Sequence, residues 1–384
     1  MTKTPDYISE KKFLEELRRY QKGSVSRRHF LGVTGLGLAT AVMGSAVPGL
    51  RPRKAFAEGL SGTVNFTTWP NYFAQENLDN FTAKTGVRIN VAIFGSNEEM
   101  LAKLQAGSTG WDVFVPTNYT ISTYKDLDLI EALDLARLPN YDVASQEKRF
   151  TEPGVIDGTT YAVPKDWGTT GYAINTKNIT SNPTSWKEFF DMTQADWSGR
   201  VMVHDYQLTT IGNALKYFGY SFNSNDEKEL ADAEKLLLAC KPHLFGINSD
   251  YQPSMRNGDA WATVCWTGDG AQMNRDMPEI QYVIGKEGGE IWSDFYAIPK
   301  GAQNPDAAYA LIDYLLMPEV NAKEVVAHGY PSPDSRANAL VPKEMLENPI
   351  LYPAADLLAP LEFGAAATLT NPLRAEIMAR FKAA

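Results

Sequence analysis

The sequence predicts an α/β protein of two lobes. Two observations predict it: a strand–helix–strand–helix–strand series across residues 62–116, and a return of the same alternation across 199–316. A third concerns size: the 384 residues, 44% of them hydrophobic, suffice for two ordinary domains with a sizeable core.

Each element carries its own signal. The stretch "GTVNFTTW" (62–69) alternates like a strand, and "AQENLDNFTAKTG" (74–86) has helical spacing closed by Gly86. Next come a strand, "VRINVAIF" (87–94), and a helix, "SNEEMLAKLQAG" (96–107), opened by Ser96 and Glu99 as a capping box. The apolar run "WDVFVP" (111–116) reads as a buried strand, and the series implies a parallel sheet covered by helices. Later, "GRVMVHD" (199–205) and "AWATVCW" (260–266) read as strands, and 207–218 and 226–240 as helices. A further helix over 304–316 has Asn304 as its cap and Pro305 in its first turn. There is no internal repeat and no low-complexity tract.

The formal net charge of −10 is unevenly distributed. Residues 1–57 hold 11 Lys and Arg against 4 Asp and Glu, and the remainder holds 25 against 42, so the parts carry +7 and −17. An acidic body repels nucleic acid and anionic membranes and attracts small cations. The basic part includes "SVSRRHFL" (24–31), in which Arg27 and Arg28 precede an apolar run to Leu50. "AFA" (55–57) supplies small residues at a cleavage site, and Arg51, Arg53 and Lys54 before it hinder the ordinary Sec route. Residues 1–57 therefore read as a twin-arginine export signal, with a periplasmic mature protein. The two cysteines, Cys240 and Cys265, are expected as separate buried thiols. They are too few for a Cys₄ zinc site or an iron–sulfur cluster.

Ligands of open α/β sheets bind beyond the carboxyl ends of the strands. Those ends are rich in aromatic and acidic residues. Trp69 and Tyr72 follow the first strand, and Thr117 and Tyr119 follow "WDVFVP". Trp266 and Asp269 flank the end of "AWATVCW", and "EIWSDFYAIP" (290–299) places Trp292 two residues before Asp294, on one face of an extended segment. Tyr330 sits in the proline turn "HGYPSP". Aromatic faces attract cations and cover alkyl chains, and carboxylates hydrogen-bond ammonium groups. Together these residue types suit an alkyl amine.

The motifs "TWPNYF", "SNEEMLAKLQAGSTGWDVFVPTNY", "YAVPKDWGTTGYAIN", "WTGD", "KEGGEIWSDFYAIP" and "GYPSP", in this order, resemble the polyamine-binding proteins of bacterial ABC importers, the periplasmic putrescine and spermidine receptors. The resemblance covers almost all of 62–355. It implies a type II periplasmic-binding fold: two α/β lobes, a hinge and an interlobe ligand cleft. The lobes would comprise 58–168 plus 295–340, and 169–294 plus 341–384. Carried over by position, Trp69 and Tyr72 would line the first-lobe wall, and Thr117, in place of the usual serine, would offer a hydroxyl with Tyr119 nearby. Trp266 and Trp292 would sandwich the methylene chain. Asp294 and Asp269 would hold amines, and Tyr330 would lie on the rim. The implied protein is a monomer without cofactor, metal or nucleic acid that captures putrescine or spermidine and docks transiently on an inner-membrane ABC permease.

The sequence also departs from this pattern. Where the family places acids after "RVMVHD", the chain has Tyr206 and Thr209, with Asp205 one step earlier. Phe363 and Gly364 stand where spermidine receptors place a polar amide. Both departures weaken the case for a long triamine. They leave room for putrescine, or for an amine that is monocationic or zwitterionic. A ferric receptor is disfavoured because the chain has no Tyr-Tyr pair. A cofactor-bearing periplasmic enzyme, the reading from a different class, lacks G-x-G-x-x-G after a strand, C-x-x-C, H-E-x-x-H and G-x-S-x-G in the mature chain.

Overall fold

The computed structural model describes residues 60–107 and 110–384. The export-signal reading of residues 1–57 lies outside the described residues. Strand β1 (Thr63–Thr68) pairs in parallel with β2 (Arg88–Ile93) on one side and β3 (Val113–Phe114) on the other. Helix α1 (Gln75–Thr85) joins β1 to β2 and stops at Gly86, whose φ of 76° is the left-handed geometry that glycine adopts freely. At the start of α2 (Asn97–Ala106), Ser96 Oγ accepts from the Glu99 backbone N–H at 3.1 Å. Glu99 reaches back to the Gly95 N–H at 2.8 Å, so the expected box closes one residue early.

Strand β4 (Val163–Asn175) runs for 13 residues, all of them buried. A strand buried on both faces has no polar–apolar alternation, and Pro164, Gly168 and Gly171 further disguise it. After it come α3 (Trp186–Thr193), β5 (Val201–Val203), α4 (Gln207–Tyr217), α5 (Glu227–Cys240), β6 (Leu244–Ile247), β7 (Ala262–Trp266), α6 (Thr267–Asp276), β8 (Ile280–Val283) and β9 (Gly289–Tyr296). Helices α7 (Pro305–Leu315) and α8 (Pro318–His328), strand β10 (Leu361–Phe363) and helix α9 (Pro372–Ala383) complete the elements used below.

The second sheet has the order β10-β9-β4-β7-β5-β6, with β8 also paired to β4. It is mixed: β4 is antiparallel to β7, β8 and β9, whereas β5 is parallel to β6 and β7. Two strands run from one core to the other. Val163 of β4 packs with Phe66, Phe81 and Leu311, while Tyr172 and Ile174 pack with Trp186, Phe189 and Leu237. Trp292 and Tyr296 of β9 belong to the first of these cores, and bridges Thr117–Asp294 and Phe114–Ala297 tie this strand and its exit to the first sheet. Cys240 and Cys265 are free and buried. Among the described residues, no helix is long and apolar enough to cross a membrane.

Gly168 is where β4 and β9 approach closely. A Cβ there would lie 2.5 Å from Trp292 Cζ2. Gly168→Ala is expected to push the Trp292 ring aside at a cost of about 1–3 kcal/mol. Thermal melting and tryptophan emission check this; unchanged values in both would show that the ring does not depend on the missing side chain.

Candidate functional site

A single cavity of about 190 Å³ is lined by all nine residues singled out above, from Trp69 to Tyr330. The backbone explains how they converge. After β1, Asn71 adopts a left-handed φ of 54°, which asparagine tolerates better than most residues. That turn lets Trp69 and Tyr72 face the same space. Thr117 and Tyr119 follow β3 at its carboxyl end, and Trp266 ends β7. Trp292 and Asp294 alternate inward on β9. Asp269 occupies the first turn of α6, where the neighbouring side chains of Tyr251 and Gln252 offset part of the upward push of burial on its carboxyl. Tyr330 follows α8 and Gly329, and its ring presses on Gly268, where a Cβ would come within 2.5 Å.

The aromatic walls are held from behind. Trp69 Nε1 donates to Val115 O at 3.1 Å, and its ring meets Phe94 edge-on at 4.5 Å. Trp266 Nε1 donates to Tyr206 OH at 3.2 Å. Tyr330 stands edge-on to Tyr72 at 4.9 Å and lies 5.3 Å from Trp292. By contrast, Tyr119 OH, Trp292 Nε1 and Asn97 Oδ1 are buried without a hydrogen-bond partner, and all three residues line the cavity. Buried polar atoms of this kind normally find a partner.

The cavity wall is acidic. Asp205, Asp250, Asp269, Glu290 and Asp294 line it, and no Lys, Arg or His does. Burial raises the carboxyl of Asp269 above its usual range and pushes that of Glu290 up to about 7. Asp294 is raised well above the carboxylate range, by burial first and then by the charge of Asp166.

One cation beside this wall belongs to the chain itself and is already engaged. Lys165, fully buried, places Nζ 2.5 Å from Asp166 Oδ2, 3.1 Å from His328 Nε2 and 3.8 Å from the centre of the Tyr72 ring. Burial raises the Asp166 carboxyl, and Lys165 offsets part of that rise. The Tyr72 hydroxyl touches both carboxylates: it bonds Asp166 Oδ1 and lies 3.0 Å from Asp294 Oδ2. A phenol has one proton to donate. With that proton on Asp166, the contact to Asp294 is favourable only when Asp294 carries a proton of its own. Asp294 Oδ1 makes no hydrogen bond of ordinary geometry, although the Thr117 side chain lies beside it. Without ligand, Asp294 is therefore the uncharged member of the group, and an ammonium can take its proton's place.

Several lining residues were not legible from the motifs. Asp250, Tyr251 and Gln252 follow β6, a half-exposed four-residue strand with little pattern. Glu290 could have been found, because it precedes Trp292 by the same two-residue step that links Trp292 to Asp294. Tyr206 and Thr209, read as missing acids, have structural work instead. Tyr206 stacks near Trp266, and Thr209 Oγ1 bonds His204 Nδ1 at 3.1 Å. His204 and His328 are fully buried, and burial keeps both rings neutral, lowering His204 to about 3.

Two outcomes follow from this charge arrangement. Lys165→Met leaves Asp166 buried without its cation and is expected to cost about 3–5 kcal/mol of stability in chemical denaturation. Binding of a cation at Asp294 is expected to release protons, because the raised carboxyl is protonated beforehand and ionised afterwards. Affinity should therefore climb as pH rises from the ordinary carboxylate range, near about 4. Calorimetry in buffers of differing ionisation enthalpy measures the release. A release that is absent, or that is the same in Asp294→Asn, would contradict the assignment.

Comparison with known proteins places the chain in a family. Residues 76–353 match the family model described as bacterial extracellular solute-binding protein. The chain is 31% identical over 300 residues to the spermidine/putrescine-binding periplasmic protein 1 of Haemophilus influenzae, covering 77% of this chain and 82% of that one. It is 30% identical over 333 residues to a putrescine/agmatine-binding protein of Pseudomonas aeruginosa, covering 82% and 89%. Among solved structures, the spermidine/putrescine ABC transporter substrate-binding protein of Streptococcus pneumoniae superposes with a TM-score of 0.68 at 27% identity, covering 84% of this chain and 99% of that one. A cavity between two sheets, walled by aromatics and carboxylates, thus sits in a chain that belongs to the bacterial extracellular solute-binding proteins, a family of receptors rather than enzymes.

Proposed function

We propose that this protein is a periplasmic receptor that captures a polyamine, putrescine before spermidine, and hands it to an ABC permease. The observation that carries this reading is the cavity wall: five carboxylates and no base, interleaved with Trp69, Trp266 and Trp292. Such a wall favours a cation with an apolar stem. Size favours the shorter ligand. A cavity of about 190 Å³ exceeds only slightly the ~150 Å³ that accepts a benzene molecule. The names of the relatives above support the same ligand class and a periplasmic location.

In this reading Asp294 and Asp269 are the amine anchors, and Trp266 and Trp292 cover the methylenes. Trp69, Tyr72, Thr117, Tyr119 and Tyr330 shape and orient the site. The lobes are 58–168 plus 295–340 and 169–294 plus 341–384, and β4 and β9 are crossings between them. Closure about those crossings would bury the ion pairs, which strengthens them and makes fit decisive. The basic leader, with Arg27 and Arg28, supports twin-arginine export of a folded monomer. Docking on the permease would be transient.

Titration calorimetry of refolded mature protein with putrescine, spermidine, spermine and 4-aminobutyrate tests the reading. Putrescine is expected to bind tightest. Asp294→Ala should weaken it by about 2–5 kcal/mol, since a buried ammonium loses its partner. Failure of every di- and triamine to bind would overturn the ligand assignment, and an unchanged affinity in the variant would remove Asp294 from the site.

A further inference from the structure

We infer that Glu290 joins Asp294 and Asp269 as a further amine-binding carboxylate of the cavity, set along one strand from Asp294, and that it makes the receptor select amines with two cationic ends over amines with one. The inference rests on the amine-receptor reading above and deepens it.

Position comes first. Glu290, Trp292 and Asp294 occupy alternate positions of β9, and all three line the cavity. At about 3.3 Å per residue, Glu290 and Asp294 lie about 13 Å apart along the strand. An ammonium hydrogen-bonded at about 2.8 Å to each carboxylate leaves roughly 7 Å between the two nitrogens. That is the reach of a four- or five-carbon diamine. Trp292, midway between them, presents its indole to the methylenes. One strand thus reads the ligand's whole length with three side chains.

Chemistry comes second. Glu290 is 3% exposed, and among the described residues no cation pairs with it. Its side-chain hydrogen bond comes from Thr170 Oγ1, 2.5 Å from Oε2. That bond anchors one oxygen and leaves the other for a ligand. The groups around it are phenols: Tyr206 and Tyr119 both feel its charge. The acid expected at Tyr206 is thus supplied from β9. Burial raises the Glu290 carboxyl to about 7, so it takes up a proton far more readily than an exposed glutamate while no cation is beside it. A monoamine seated on Asp294 gains nothing from it, whereas a diamine exchanges its proton for an ion pair.

The test is titration calorimetry of the wild type, Glu290→Gln and Glu290→Asp with putrescine, cadaverine and butylamine, with thermal melts to verify folding. In Glu290→Gln, which keeps the shape and removes the charge, putrescine should weaken about 30-fold or more, while butylamine changes by less than about threefold. In Glu290→Asp the carboxylate withdraws by one methylene, so the ranking should shift from putrescine towards cadaverine. Equal losses for diamine and monoamine in Glu290→Gln, or no loss, would overturn the inference. Should Glu290→Gln fail to fold, an unshifted chain-length ranking in Glu290→Asp would overturn it as well. The two levels remain separable. Tight putrescine binding by the wild type with an indifferent Glu290→Gln sinks this inference alone, and a wild type that binds no diamine sinks the amine-receptor reading with it.

Discussion

A carboxylate removed from water needs either a proton or a cation, and the cavity wall holds more carboxylates than the chain has cations to offer them. Asp166 takes Lys165, and Tyr72 spends its single proton between Asp166 and Asp294. Asp294 and Glu290 are left without a cation, and burial raises both carboxyls towards their protonated forms until something positive enters. This imbalance governs the site. It makes the ligand-free cleft tolerable, because protonated acids are cheap to bury, and it makes a bound ammonium valuable, because each displaced proton becomes an ion pair. The internal lysine matters equally. Without it Asp166 would compete for the incoming cation, and with it Asp166 fixes the phenol that orients Asp294.

The scaffold that sustains this arrangement is a pair of strands. β4 carries Lys165, Asp166 and Thr170, and β9 carries Glu290, Trp292 and Asp294. Their antiparallel register sets Thr170 against Glu290, Gly168 against Trp292 and Asp166 against Asp294. Each ligand-facing residue of β9 is thereby matched by one residue of β4 that bonds it, makes room for it or sets its charge. The same two strands connect the cores. A site built on the strands that join two cores senses any change in how those cores meet, which is what capture by closure requires.

The aromatic side chains complete the selection. Trp69 and Trp266 have their indole N–H groups tied to Val115 and Tyr206, so these rings stand in place before any ligand binds. Rigid walls spare the ligand the cost of ordering them. Trp292 Nε1 and Tyr119 OH stay without partners inside the protein, which keeps two donors free at the lining. In the proposed reading, the aliphatic stem and the cationic ends are each met by a different kind of group.

The sequence by itself determined the local elements and the identity of most lining residues. Helical periodicity, the Ser96–Glu99 box and the glycine after α1 follow from interactions within a few residues, so they are visible in one dimension. So are Trp69, Tyr72, Trp266, Trp292 and Asp294, because strand ends in α/β proteins face the ligand. The tertiary structure decided what those residues can do. β4 is invisible as a strand because both its faces are buried, and pattern needs one wet face. Lys165 reads as one more basic residue until folding places it against Asp166, Tyr72 and His328. Glu290 shares a strand face with Trp292 and Asp294 in the sequence, but only the fold shows it buried beside Thr170. The physical reason is common to all three. Burial and charge pairing depend on neighbours distant in sequence, and these set whether a carboxylate is an anion, an acid or a waiting partner for a ligand.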